Sequence, residues 1–146
     1  MPLSENELSE RLESWPVARL ASRGDEGRPH LVPIVFARSG GRLWSPVDGK
    51  NKRDGELVRV RNLRTHPETS LLLDEYRSDW TKLWWIRIDA TAEVIQPVSS
   101  TDREASAAIA ALEAKYPQYA SIPVLRANPT LIAFEPVRFV SWTASS

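Results

Sequence analysis

Apolar residues recur at helical spacing where the chain starts. Leu8, Leu12 and Trp15 share one helical face behind Ser4 and Glu7, a capping-box pair, so the sequence predicts a short helix that stops before Pro16. The period then shortens. Residues 17–22, 31–37 and 42–47 read as strands parted by Gly24-Asp25-Glu26-Gly27 and by Ser39-Gly40-Gly41, the pattern of an antiparallel meander. The second run is apolar at successive positions, which predicts cover on both of its faces, while Pro33 lacks a ladder donor and marks an edge or a bulge. An irregularity in a buried strand is a place to look for a ligand.

Leu57, Val60, Arg61 and Leu63 predict a second helix that ends by Pro67, and residues 69–74 another strand. Residues 82–95 form a long one. Trp84, Ile86, Ile88, Ala90, Ala92 and Val94 alternate with Leu83, Trp85, Arg87, Asp89, Thr91 and Glu93, so the first set is core. The second set is aromatic at its start and charged beyond, which suits a subunit interface better than open solvent. Thr101 and Glu104 form a second capping box, followed by a buried stripe of Ala105, Ala108, Ile109, Leu112 and Tyr116 up to Pro117. Residues 130–134 and 137–142 return to strand on either side of Pro136. Six or seven strands and two or three helices give a mainly β, α+β class: a small β-barrel with helices at its ends, one domain over residues 1–146.

Composition narrows the chemistry. With 146 residues, 42% hydrophobic, the chain is long enough for a real core without staples, and it has no cysteine. That removes thiol nucleophiles, redox pairs and zinc–thiolate sites. The two histidines, His30 and His66, match no ligand spacing, so no metal is expected. Nineteen basic against nineteen acidic side chains argue against nucleic-acid binding. No run is long enough to span a membrane, and the acidic start is unlike a secretory signal, so the expected location is the cytoplasm.

One segment stands out. In residues 50–64, Lys50, Lys52, Arg53, Arg59, Arg61 and Arg64 face only Asp54 and Glu56, beside Gly49 at a strand-to-helix loop. Such a cluster offers the donors, charge and close backbone approach that a phosphate or carboxylate needs, although charge runs are often plain solvated faces. Trp84 reads as core, whereas Trp80 and Trp85 could border a flat aromatic ligand or a second subunit. His30 could act as an acid or base but has no visible carboxylate partner, and His66 reads as a helix C-terminal residue. No nucleophile elbow, dinucleotide fingerprint, Walker loop or carboxylate pair exists, so no catalytic side chain is assigned.

Several motifs, in order, resemble a known family. They are Gly27-Arg28-Pro29-His30-Leu31-Val32-Pro33, Gly40-Gly41-Arg42-Leu43, Asp48-Gly49-Lys50-Asn51-Lys52-Arg53, Arg61-Asn62-Leu63-Arg64-Thr65-His66-Pro67 and Ser70-Leu71-Leu72-Leu73. Together they are similar to the pyridoxamine-5′-phosphate oxidase-like flavin-binding split β-barrels over residues 15–142. Asp79-Trp80-Thr81-Lys82-Leu83-Trp84-Trp85-Ile86-Arg87 looks most like the branch of coenzyme F420-dependent enzymes. The resemblance implies a six-stranded split barrel that forms a homodimer, with a flavin or deazaflavin in a groove at the subunit interface. Lys50, Lys52 and Arg53 would hold the cofactor phosphate. Val32, Pro33, Ile34, Val47 and Asp48 would line the ring system, and Trp80 would border it from either subunit.

The implied activity is hydride transfer from reduced F420 to a small organic acceptor. FMN is the alternative cofactor, and a non-catalytic cofactor carrier is the alternative function. In either enzyme the cofactor carries the hard chemistry, which accounts for the missing acid–base constellation. F420 has a lactyl oligoglutamate tail that needs an extended basic groove, and Arg59, Arg61 and Arg64 could supply one.

Overall fold

The computed structural model describes residues 1–48 and 56–145. Its elements, in chain order, are α1 (Glu5–Ser14), β1 (Ala18–Arg23), β2 (Pro29–Ile34), β3 (Ala37–Ser39), β4 (Arg42–Pro46), α2 (Val58–Thr65), β5 (Glu68–Glu75), β6 (Trp84–Ile95), α3 (Arg103–Lys115) and β7 (Leu131–Thr143), with 3₁₀ turns at Trp80–Lys82 and Pro117–Ala120. All strands pair antiparallel in one sheet of order β2-β1-β5-β6-β7-β4-β3. Only Val35 and Phe36 separate β2 from β3, so one bent strand supplies both ends of the order and closes the sheet on itself. Counted that way the barrel has six strands, as expected.

Two cores follow from the alternation along the strands. Leu20, Leu71, Leu73, Ile86, Ile88, Ile132 and Phe134 fill the barrel, and Trp84 joins them with its ring edge-on to Trp15 at 4.7 Å between centroids. Truncating so large a buried side chain costs about 3–5 kcal/mol, so Trp84 anchors α1 to the barrel. The second core lies outside the barrel, where Ala105, Ala108 and Leu112 of α3 cover Trp44, Leu131 and Ala133. β4 and the first four residues of β7, Leu131 to Phe134, are therefore buried on both faces.

Four expectations need correction. The run 31–37 is not covered on both faces: Leu31 is 68% exposed and Pro33 is exposed, because β2 is an edge strand, where proline's missing donor goes unmissed. The run also breaks, β2 ending at Ile34 and β3 beginning at Ala37. The N-cap of α3 is Asp102, whose carboxylate accepts from the Ala105 N–H at 3.0 Å, and not Thr101. Pro136 does not divide the last strand: the register passes from Asp89↔Arg138 to Ala90↔Pro136, and Val137, 71% exposed, is the extra residue of a bulge. The Ser4 cap on α1 is as expected, its hydroxyl accepting from the Glu7 N–H at 3.2 Å. Among the described residues no helix is long and apolar enough to cross a membrane, and no group of three or more metal-ligating side chains comes together.

Candidate functional site

β4 runs out at one end of the barrel. The Val47 N–H donates to the Thr130 carbonyl at 3.1 Å and the Arg126 N–H to the Val47 carbonyl at 3.3 Å, so segment 126–130 is zipped along the exit of β4. α2 lies across the same end, burying Val60 and Leu63 in the barrel core. Between them a cavity of about 500 Å³ opens, with Val47, Leu57 and Val60 as its apolar wall and Arg64, Gln96 and Arg126 among its polar groups. The size is in the range of small-molecule sites.

The polar side is held in place by its own hydrogen bonds. Gln96 donates from Nε2 to the Thr130 hydroxyl at 2.6 Å and accepts from the Arg64 guanidinium with Oε1. Thr130 in turn donates to the Asn128 carbonyl at 3.2 Å, and Glu56 flanks Arg64 from the other side at 2.7 Å. A guanidinium fixed on both flanks loses little freedom on meeting an anion, and its planar fork suits phosphate and carboxylate oxygens. Among the described lining residues the one carboxylate, Glu56, is already committed to Arg64. The described lining thus has groups to bind and orient an anionic ligand and no histidine to move a proton.

Beside the cavity, the buried Asp48 carboxylate accepts from the Tyr119 hydroxyl at 2.7 Å. Burial, and then this bond to a carboxylate, push the Tyr119 phenol far above its ordinary pKa. Burial lowers the pKa of Arg59 while the charge of Asp48 opposes the change.

A second cleft, of about 470 Å³, lies on the outer face of the sheet among Leu72, Asp74, Tyr76, Trp85 and Arg87. Cross-strand register extends that face in rows: Arg19, Leu72, Arg87 and Val140; Ser70, Asp89 and Arg138; Trp85 beside Trp142. None of these residues belongs to either buried core. Asp89 accepts from Ser70 at 2.8 Å and from Arg138 at 3.0 Å, the Ser70 bond being the main cause that holds its carboxyl below the usual range.

Residues 4–142 match the family model described as pyridoxamine 5′-phosphate oxidase. The chain belongs to that family. A search of curated proteins finds no match. Among solved structures, a conserved hypothetical protein of Mycobacterium tuberculosis is 21% identical, with a TM-score of 0.73 over 97% of this chain and 86% of that one. An FAD-binding protein of Mesorhizobium loti is 19% identical, with a TM-score of 0.69 over 97% and 93%. HutZ, the heme storage protein of Vibrio cholerae, is 16% identical, with a TM-score of 0.70 over 98% and 95%. At these identities the likeness is one of fold: the split β-barrel of the pyridoxamine 5′-phosphate oxidase family.

In this family member the residues singled out from sequence are dispersed. Ile34 and Val47 meet in the barrel core with Val32 packed against it, while Pro33 stands opposite Arg19 on the β1–β2 ladder. Trp80 is 76% exposed on the 3₁₀ turn before β6, and Gln96 follows the far end of that twelve-residue strand, about 40 Å away along the chain. Within one protomer, Trp80 does not reach the barrel-end cavity. Lys50, Lys52 and Arg53 lie outside the described residues; the chain leaves at Val47 and Asp48 and returns at Glu56, and Val47 and Glu56 both line the cavity. His30 sits in β2 opposite Ser22 with Nδ1 buried, and His66 is the C-cap residue of α2. Gln96, Arg126, Asn128 and Thr130 escaped the sequence reading. They come from two segments thirty residues apart, and nothing in their local pattern marks them.

Proposed function

We propose that this chain is an oxidoreductase that uses a bound flavin-type cofactor, coenzyme F420 before FMN, to pass a hydride to a small organic acceptor. Family membership supports the flavin-type reading, as does a neighbour described as an FAD-binding protein. The observation that carries it on this chain is the preorganised Arg64–Gln96–Thr130 set beside an apolar wall. The remaining N–H groups of the Arg64 guanidinium fit the phosphate and carboxylates of such a cofactor, and Lys50, Lys52 and Arg53 belong to the segment joining two sides of the same cavity.

When bound, the cofactor supplies the hydride. The chain's own part is to bind, orient and keep water out. Arg64, steadied by Gln96 and Glu56, holds an anionic group; Val47, Leu57 and Val60 exclude water from the adjoining apolar part. F420 is preferred because its oligoglutamate tail uses more cationic groups than one phosphate does, and α2 carries three arginines, of which Arg64 lines the cavity, Arg61 is exposed and Arg59 is partly buried near Asp48.

The reading includes a homodimer through the outer sheet face. Arg19, Arg87 and Arg138 share that face with Asp74 and Asp89, so a two-fold axis can set opposite charges against each other around Trp85 and Trp142. A second copy is also what would bring Trp80 to a cofactor seated at the other protomer's cavity. A cofactor carrier is the second reading, favoured by the fold shared with the heme storage protein. Mixing the protein with F420H2 and a quinone separates the two: oxidation of F420H2 above the protein-free rate supports the enzyme, and binding without turnover across an acceptor screen supports the carrier.

A further inference from the structure

The alternation along β4 turns Ser45 into the barrel. Leu43 and Val47 lie in the barrel core and Trp44 in the core under α3, so Ser45 shares a face with the first pair. It stands opposite Ile132 of β7, which stands opposite Val94 of β6. One row on, about 7 Å along the strands, Val47, Thr130 and Gln96 line the cavity. The Ser45 row is thus the next layer below the cavity floor. Solvent reaches this row at Val94, which is only partly buried.

Ser45 itself is 1% exposed, and its Oγ has no hydrogen-bond partner. Among the described residues three other buried side-chain atoms share that state, on Arg11, His30 and Arg59, but each of those residues is only partly buried. A hydroxyl taken out of water and left without a partner destabilises the fold, and alanine would occupy the same place without that penalty.

We propose that Ser45 is a ligand contact: its hydroxyl meets a carbonyl or ring N–H at the inner end of the cavity's occupant, whose anionic end stays outside on Arg64. The proposal rests on the reading of the cavity as the cofactor site and adds the direction in which the cofactor lies. The Arg64 side chain is 43% exposed and Ser45 is sealed, so a ligand's charged end loses least water at the first and its flat apolar end belongs at the second. A flavin-type ring suits that inner end, because its faces are apolar and its hydrogen-bonding atoms lie on its edge, where one hydroxyl can meet one of them.

Two measurements test it. In urea unfolding without ligand, Ser45→Ala should be at least as stable as wild type, because the hydroxyl it loses bonds to nothing. A lower midpoint would give the hydroxyl a partner inside the protein and overturn the proposal. In titrations with F420 and with its ribityl deazaflavin core, which lacks the phosphate and tail, Ser45→Ala should lose about fivefold in affinity for both, the equivalent of one net hydrogen bond. Arg64→Ala should lose affinity for F420 alone. FMN and riboflavin take their place if the wild type prefers the flavin, and Ser45→Cys, close in size, serves if the alanine variant does not fold. Unchanged affinity in Ser45→Ala beside a loss in Arg64→Ala would overturn the Ser45 contact and leave the cavity reading standing. No loss in either variant, or no binding by wild type, would overturn both.

Discussion

The Tyr119 hydroxyl donates to the Asp48 carboxylate at 2.7 Å, and the pair ties the exit of β4 to the 3₁₀ turn after α3. Both residues are buried, so the bond forms away from water and joins a neutral donor to an acidic acceptor. Tyr119→Phe removes the hydroxyl and keeps the ring. A hydrogen bond to a charged group contributes about 1.5–3 kcal/mol, and urea unfolding of the variant should show a loss of that size with an unchanged m-value.

Much of this architecture was legible in the chain, and where it was not the reason is physical. Period-two alternation placed Trp84, Ile86 and Ile88 in the core because one face of β6 is continuously buried. In the apolar run 31–37 Pro33 marked an edge or a bulge but not the break at Val35 and Phe36: Phe36 is held by Lys115 and Tyr116, some eighty residues away, and no local pattern encodes a partner that distant. The same holds for the cavity. Arg64 was visible as one of a basic cluster, but its alignment by Gln96 and Thr130 exists only once the ends of β6 and β7 lie beside α2. Thr101 was the expected cap of α3, and the carboxylate of Asp102, one residue later, is the group that reaches the N–H of Ala105.

Stability should depend on pH through Lys115. Its folded pKa of about 8 lies below the ordinary 10.5, so between these values the unfolded chain binds more protons and stability rises with pH. Below about pH 8 the gain is absent, because lysine is charged in both states. Solvent still reaches part of the side chain, which limits the gain to roughly 1–2 kcal/mol. Denaturant unfolding of wild type and Lys115→Met from pH 7 to 10.5 should show the wild type gaining on the variant across this window. Parallel curves would remove the effect.

The proposed dimer makes a mass prediction. Light scattering should give twice the 16.5 kDa of the chain, and Leu72→Arg should return one chain mass. Leu72 lies between Arg19 and Arg87 on neighbouring strands and outside both cores, so the new charge makes a row of three guanidinium groups on the outer face without disturbing packing. A variant that stays dimeric would place the interface elsewhere.

The most direct test of the account is parallel titration of wild type and Arg64→Ala with F420 and with FMN, followed by tryptophan fluorescence with an inner-filter control. The account predicts micromolar or tighter binding of F420 by wild type, weaker binding of FMN, and at least a tenfold loss of F420 affinity in Arg64→Ala, the equivalent of about 1.4 kcal/mol. Preference for FMN would move the cofactor assignment to the flavin. Binding of neither, or equal affinity in both proteins, would contradict the cavity at the end of the barrel as the cofactor's anchor.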